Sequence, residues 1–248
     1  MELSNRPDKI SDISYVPIGE KSIAKSFVSN VFMLMFLALG VSALLAWQFG
    51  SNQQWLAYLV TPTGLTGLGK ITMFSPLIFV LAMSFGFQRL SAPALMALFI
   101  AYAAINGIAF SFILMAYTPG SVLGCFLSAA AMFGIMAVMG YTTDKDLTKF
   151  GRILIMGVIG ILVAMVINFF LKSNSLDYII SIIGVLIFTA LTAYDVQKLK
   201  RIGEGIEFGG NGVTASQTRK LSILGALTLY LDFINIFLFL LRMAGNRR

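Results

Sequence analysis

Seven apolar blocks of about twenty residues, separated by short polar or charged breaks, constrain this chain more than any other feature. About 20 apolar residues are needed for a helix to cross a bilayer, and 58% of the 248 residues are hydrophobic. No polar stretch is long enough to bury a core of its own. The pattern predicts an all-α polytopic membrane domain over residues 27–243, with helices at 27–47, 71–87, 93–117, 121–140, 153–171, 178–197 and 221–243.

Two segments outside these blocks have a different composition. Residues 1–26 carry mixed charge and two prolines, which predicts a soluble N-terminal tail and not a cleaved signal peptide. Residues 203–217 are rich in glycine and predict a flexible loop. This loop lacks the Gly-Lys-Ser/Thr sequence of a phosphate-binding loop, so nucleotide binding is not expected there.

The net charge of +7 does not indicate nucleic-acid binding, because the lysines and arginines lie at the ends of the apolar blocks. With a cytoplasmic N-terminus, thirteen basic residues fall on the inner side and five on the outer. That asymmetry predicts a membrane protein with its N-terminus in the cytoplasm. Three arginines near the C-terminus disagree with an outward tail. Either the basic residues elsewhere in the chain set the orientation, which we favour, or the last segment enters the membrane and returns.

Histidine is absent and Cys125 is the one cysteine, so an intrachain disulfide is excluded. The usual general base and the commonest transition-metal ligand are therefore missing. We expect no enzyme activity and no resident cofactor.

Two carboxylates lie inside apolar blocks. Asp195 lies near the basic end of the sixth predicted helix, and Asp232 lies about 16 Å into the seventh, at 1.5 Å per residue. A charge at such a depth costs about 2.5–3.5 kcal/mol on insertion scales, so it requires a partner or water. With the predicted topology, Asp195, Asp232 and Arg89 all approach from the cytoplasmic half.

Simpler interpretations of two of these residues stay open. Asp195 could be an acid at a helix end that pairs with Lys198 or Lys200, and Arg89 could be an inside anchor. Asp232 is too deep to reach the interface. Asn235 follows it three positions later on the same helix face, and Asn235 and Tyr194 are candidate supporting polar groups.

Two carboxylates in contact cannot both ionise easily, and they share a proton. An arginine able to pair with one of them then defines two states. Ionised Asp195 would hold Arg89 and close the cytoplasmic end, whereas protonated Asp195 would release it. The pattern predicts a latch that acid loosens.

Three motifs resemble the transmembrane Bax inhibitor motif family, including its bacterial members. They are GYTT at 140–143 followed by DKDL, FT through AYD at 188–195, and LYLDFINIF at 229–237 followed by Leu241-Arg242. The resemblance implies seven helices with the last one central and wrapped by six others. It implies a pH-sensitive calcium leak whose di-aspartyl sensor maps to Asp195 and Asp232 and whose latch arginine maps to Arg89.

Physical chemistry agrees with a leak better than with tight calcium binding. Ca²⁺ prefers six to eight oxygen ligands, and two aspartates with a few neutral oxygens form only a weak metal site. Weak binding is what conduction requires. Calcium is then a permeant ion and the bilayer the main partner.

Two other functions compete with the leak. Aspartates on adjacent helices also occur in intramembrane aspartyl proteases, and Tyr194-Asp195 matches half of their signature, but no glycines flank Asp232 and no Pro-Ala-Leu motif follows. Alternatively, the protein could act without transport, as a modulator of a membrane protease or another membrane partner. Residues 1–26 would then carry the regulatory role.

Overall fold

A computed structural model describes residues 23–61, 64–86, 89–208 and 214–247 of the chain. This part of the chain is almost entirely helical, with one two-stranded hairpin. The elements are α1 (Ile23–Ser51), α2 (Gln53–Ala57), β1 (Val60–Thr61), β2 (Gly64–Leu65), α3 (Gly67–Gly86), α4 (Ala92–Ala116), α5 (Pro119–Thr142), α6 (Thr148–Leu171), α7 (Asn174–Phe208) and α8 (Ala215–Ala244).

Within the described residues, six helices are long and apolar enough to cross a membrane: α1, α4, α5, α6, α7 and α8. The prediction of an all-α multi-pass membrane protein is therefore confirmed. The remaining predicted span, 71–87, coincides with α3, which is not one of the six. A seventh span stays a prediction.

Several helices extend beyond the ends that were predicted from the sequence. Helix α1 begins at Ile23, within the predicted tail, and residues 1–22 lie outside the described part of the chain. Helix α7 continues to Phe208, so the first residues of the predicted loop at 203–217 are helical. A side-chain carbon on Gly203 would lie 3.1 Å from Ala24 Cα, so this glycine permits helix packing and does not mark a loop.

The other end of that predicted loop is also ordered. Thr214 and Gln217 form a capping box at the start of α8, in which each side chain accepts a hydrogen bond from the other residue's backbone N–H. Residues 209–213, between the two helices, lie outside the described ranges.

The candidate spans differ widely in burial. In its most apolar window, α8 is 72% buried, whereas α6 is 6% buried. The principal contacts of α8 are with α1, α4, α5 and α7. Helix α6 therefore lies at the periphery and packs chiefly against α7, and a last helix wrapped by six others stays a prediction.

Hydrogen bonds and an ion pair show which residues lie together at each end of the bundle. At the first end, Ala24 N donates to Glu207 Oε2 and joins the start of α1 to the end of α7. At the second end, Thr118 N donates to the carbonyl oxygen of Asn246, and Arg242 pairs with Asp177 at 3.4 Å. The start of α1 and the C-terminal residues thus lie at opposite ends. Since α8 is one continuous helix between them, a last segment that enters and returns is wrong.

Candidate functional site

The structure brings Asp195 and Asp232 together between α7 and α8. The two carboxyl groups are in side-chain contact, and their side chains are only 9% and 3% exposed. Helices α7 and α8 are antiparallel neighbours, so contact between the two aspartates depends on the register of these helices. That register is the structural basis of the site.

Close contacts on either side of the pair fix this register. Toward the second end, a carbon added to Gly184 would lie 2.6 Å from the Phe239 ring. Toward the first end, a carbon added to Gly225 would lie 2.6 Å from Leu199 Cδ2. At both positions, a glycine on one helix leaves space for a bulky side chain of the other helix. The aspartates face each other between these contacts.

The carboxylate pair lacks a full set of partners. Asp232 Oδ2 is buried and has no hydrogen-bond partner among the described residues. Neither aspartate forms a salt bridge within the described part of the chain. Lys198, one turn beyond Asp195, acts on it electrostatically but is itself exposed. Lys200 instead donates to the carbonyl oxygen of Tyr141, at 3.0 Å.

Arg89 is not joined to the pair. It follows α3 in the turn before α4, its backbone N–H donates to the Gly86 carbonyl, and its side chain is exposed. No ion pair links it to an aspartate within the described ranges. The structure therefore holds the two carboxyl groups together with the guanidinium apart from them.

The two supporting residues do not bond to the aspartates either. The Asn235 side-chain amide donates to the Leu231 carbonyl of its own helix, at 2.8 Å. The ring of Tyr194 packs against Gly151 of α6, where it occupies the space of a missing side chain. Tyr194 thus anchors α7 to α6, on a different side of the helix from Asp195.

A buried glutamine beside the site was not identified from the sequence. Gln197, two residues after Asp195, is only 5% exposed. Its Oε1 accepts from Leu147 N at 2.9 Å, and its Nε2 donates to the Lys145 carbonyl at 2.8 Å. One side chain therefore holds the α5–α6 loop against the Asp195 end of α7.

An exposed ion pair reinforces this connection. Arg201 pairs with Asp146 at 2.8 Å and donates to Thr148 Oγ1. Hydrogen bonds from Thr148 and the nearby Arg201 guanidinium lower the pKa of Asp146 to about 2. The GYTT-DKDL motif therefore forms a loop that is attached to α7 at several points, which we call the loop clamp (residues 141–148 with Gln197, Lys200 and Arg201).

A second buried polar group lies on another face of α8. The hydroxyl oxygens of Ser42 and Tyr230 are 2.8 Å apart, and Ser42 Oγ lies 2.7 Å from the Ala103 carbonyl oxygen. This group was not predicted from the sequence, because serine and tyrosine are common in apolar helices. These contacts connect α1, α4 and α8, whereas the aspartates lie on the side of α8 that faces α7.

Fold and site together define a class: a multi-pass helical membrane protein with two carboxyl groups buried against each other between its last two helices. The family model described as "Inhibitor of apoptosis-promoting Bax1" matches residues 24–248. The chain belongs to this Bax inhibitor family, as the three motifs predicted.

Relatives cover most of the chain. The Escherichia coli (strain K12) inner membrane protein YbhL is 42% identical over 90% of this chain and 93% of its own length. An uncharacterized protein of Deinococcus radiodurans is 40% identical over 90% of this chain and 91% of its own. The uncharacterized protein RP147 of Rickettsia prowazekii is 42% identical over 74% of this chain and 75% of its own.

Proposed function

We propose that the protein is a pH-sensitive, calcium-permeable leak channel of the bacterial inner membrane, with Asp195 and Asp232 as sensor and Arg89 as latch. The similarity to a protein named for the inner membrane supports the location. One observation supports the mechanism above all: two aspartates meet in a buried place, and one oxygen has no described partner.

The pair provides a reason for pH sensitivity. Two ionised carboxylates in contact repel each other in a low-dielectric environment, so the pair holds a proton. When Asp195 is ionised, it attracts Arg89 and the α3–α4 turn closes over the first end of the bundle. When Asp195 is protonated, this attraction is lost and Arg89 is released. The exposed Arg89 side chain is compatible with such a release.

The same pair suits a weak interaction with calcium. The described residues contain no group of three or more His, Cys, Asp or Glu side chains that could hold a metal. A Ca²⁺ ion at the pair would have two carboxylates and otherwise neutral oxygens or water, fewer charges than a tight site provides. Such an ion can leave again, as conduction requires.

The test is calcium flux into proteoliposomes of purified protein across pH 5–8. Wild-type flux should rise as pH falls. Asp195→Asn and Arg89→Ala remove the latch, so their flux should be high and nearly independent of pH. Asp232→Asn removes half of the pair and should reduce flux and alter its pH dependence.

A matched control comes from the same helix. Asp177 lies at the far end of α7, paired with Arg242, so Asp177→Asn should retain the wild-type pH profile. The same flux and pH profile in wild type, Asp195→Asn, Asp232→Asn and Arg89→Ala would refute the mechanism.

A further inference from the structure

A groove at the first end of the bundle lies apart from the aspartates. It is formed by α1, α4 and α8 and has a volume of about 390 Å³. Its apolar wall includes Met33, Leu34, Met96 and Ile223. Because Met33 is strongly exposed on α1, the groove opens toward the surroundings of the bundle, which in a membrane are lipid.

Polarity changes along the groove in the same direction on two helices. On α1, Asn30 lies nearer the first end than Met33 and Leu34. On α8, Arg219 and Ser222 come before Ile223. On α4, the first-turn residues Ala92 and Pro93 precede Met96. The groove is therefore polar and positive where the helices begin and apolar deeper in the bundle.

Arg219 is the charge of this groove. It is exposed, it lies in the second turn of α8, and it forms no salt bridge within the described part of the chain. The described residues that line the groove include no carboxylate. An uncompensated guanidinium beside an apolar wall is complementary to a ligand with an anionic head and a hydrocarbon tail.

We propose that this groove binds an anionic phospholipid of the cytoplasmic leaflet. Arg219 binds the phosphate of the headgroup, with Asn30 beside it, and an acyl chain lies along Met33, Leu34 and Met96. Guanidinium groups bind phosphate through paired, charge-assisted hydrogen bonds. Basic pockets between membrane helices on the cytoplasmic side are a recurring way of recognising anionic headgroups.

Other occupants agree less well with the groove. A free phosphate would use Arg219 but leave the apolar wall uncovered. A neutral phospholipid would cover the wall but would not use the positive charge. The observed combination, a charge at the shallow end and methionines deeper, requires both parts of an anionic lipid. The inference does not depend on the proposed calcium leak.

The experiment uses full-length protein in vesicles of phosphatidylcholine and phosphatidylglycerol. A trace of phosphatidylglycerol with a photoactivatable diazirine in its acyl chain is added, and adducts are located by mass spectrometry. We expect adducts on the peptides that contain Met33 and Met96. Arg219→Gln should lower their yield about fivefold, since one basic residue near the surface contributes about 1 kcal/mol. Excess inorganic phosphate should not compete.

Arg152→Gln is the matched control, because Arg152 is an exposed arginine in the first turns of α6 that does not line the groove. It should leave the adduct yield unchanged, and the same diazirine on phosphatidylcholine should give a low yield that Arg219→Gln does not alter. Equal labelling by the two lipids, or no change in Arg219→Gln, would overturn the proposal. Absence of adducts in the groove would also overturn it and would indicate another occupant, such as residues 1–22.

Discussion

At the scale of single residues, the fold holds two carboxyl groups together although their negative charges would repel each other. Asp195 and Asp232 are buried against each other, and no described cation forms a salt bridge with either. Proteins rarely retain such groups inside a membrane without a functional reason. On the proposed mechanism, a shared proton makes this arrangement tolerable, and a change in the protonation of the pair changes the charge of the bundle's interior.

The loop clamp contains a carboxylate with a different response to acid. Hydrogen bonds from Thr148 and the Arg201 guanidinium lower the pKa of Asp146 to about 2. A depressed pKa means that Asp146 contributes stability above its unfolded value, near 4, and that this contribution is lost as pH falls toward 2. Between pH 5 and 8 the Asp146 ion pair should therefore be constant.

Asp146→Asn should consequently change calcium flux by the same factor at every pH in that range. It should not move the pH at which flux is half-maximal. The proteoliposome assay measures both quantities in one titration. A displaced midpoint would place the pH sensor in the loop clamp and not at the aspartate pair.

The sequence identified the two aspartates because a charge in an apolar block is conspicuous. It did not identify Gln197, since an uncharged polar residue near the basic end of a helix is ordinary. Only the fold shows that its amide bonds to the backbone of Leu147 and Lys145, about fifty positions away. The predicted topology permitted contact between Arg89 and the pair, whereas the structure leaves the Arg89 side chain exposed.

At the scale of elements, glycines set how closely the helices approach. Where α5 meets α7, a carbon on Gly140 would lie 2.7 Å from Ala193 Cα and would also contact the Ala193 carbonyl oxygen. Backbone cannot move aside as a side chain can. Ala193 is two residues before Asp195, so this contact also holds the Asp195 end of α7 in place.

Gly140→Ala should destabilise the bundle by about 1–3 kcal/mol, the usual cost of overpacking. Gly134→Ala on the same helix is the matched control, because a side-chain carbon there meets nothing within 4 Å. The control should be neutral or slightly stabilising, as expected for alanine in a helix. Unfolding in mixed micelles with increasing dodecyl sulfate measures both changes, and equal stability of the two variants would contradict this account.

Helix boundaries were harder to predict from the sequence than the helices themselves. Glycines at 203–217 favour a loop when only local propensity is considered. In the structure, Gly203 lies against Ala24 and Phe27 of α1, so tertiary packing extends α7 to Phe208. A single sequence contains no information about that partner.

At the scale of the whole molecule, two of the three C-terminal arginines have a structural role that charge counting did not include, and Arg248 lies outside the described residues. Arg242 pairs with Asp177, and the Arg247 guanidinium lies over the Tyr117 ring. Both contacts are at the second end, opposite the start of α1. These arginines therefore secure the end of α8 to α7 and to the α4–α5 turn, and they need not lie in the cytoplasm.

A cytoplasmic N-terminus then predicts a C-terminus outside the cytoplasm. Alkaline phosphatase, which folds only outside the cytoplasm, should be active when it is fused after Arg248. The same reporter fused after Phe208, at the first end of the bundle, should be inactive. The reverse pattern would invert the orientation that the basic residues predict.

The central claim is that Asp195 and Asp232 act as one carboxyl pair that takes up a proton as pH falls from 8 to 5. Infrared difference spectroscopy of the reconstituted protein between pH 8 and pH 5 measures this directly, through the C=O stretching band of a protonated carboxyl group. We predict one band that Asp195→Asn and Asp232→Asn each abolish or shift and that Asp177→Asn leaves unchanged. A band that persists unchanged in both Asp195→Asn and Asp232→Asn would contradict the claim.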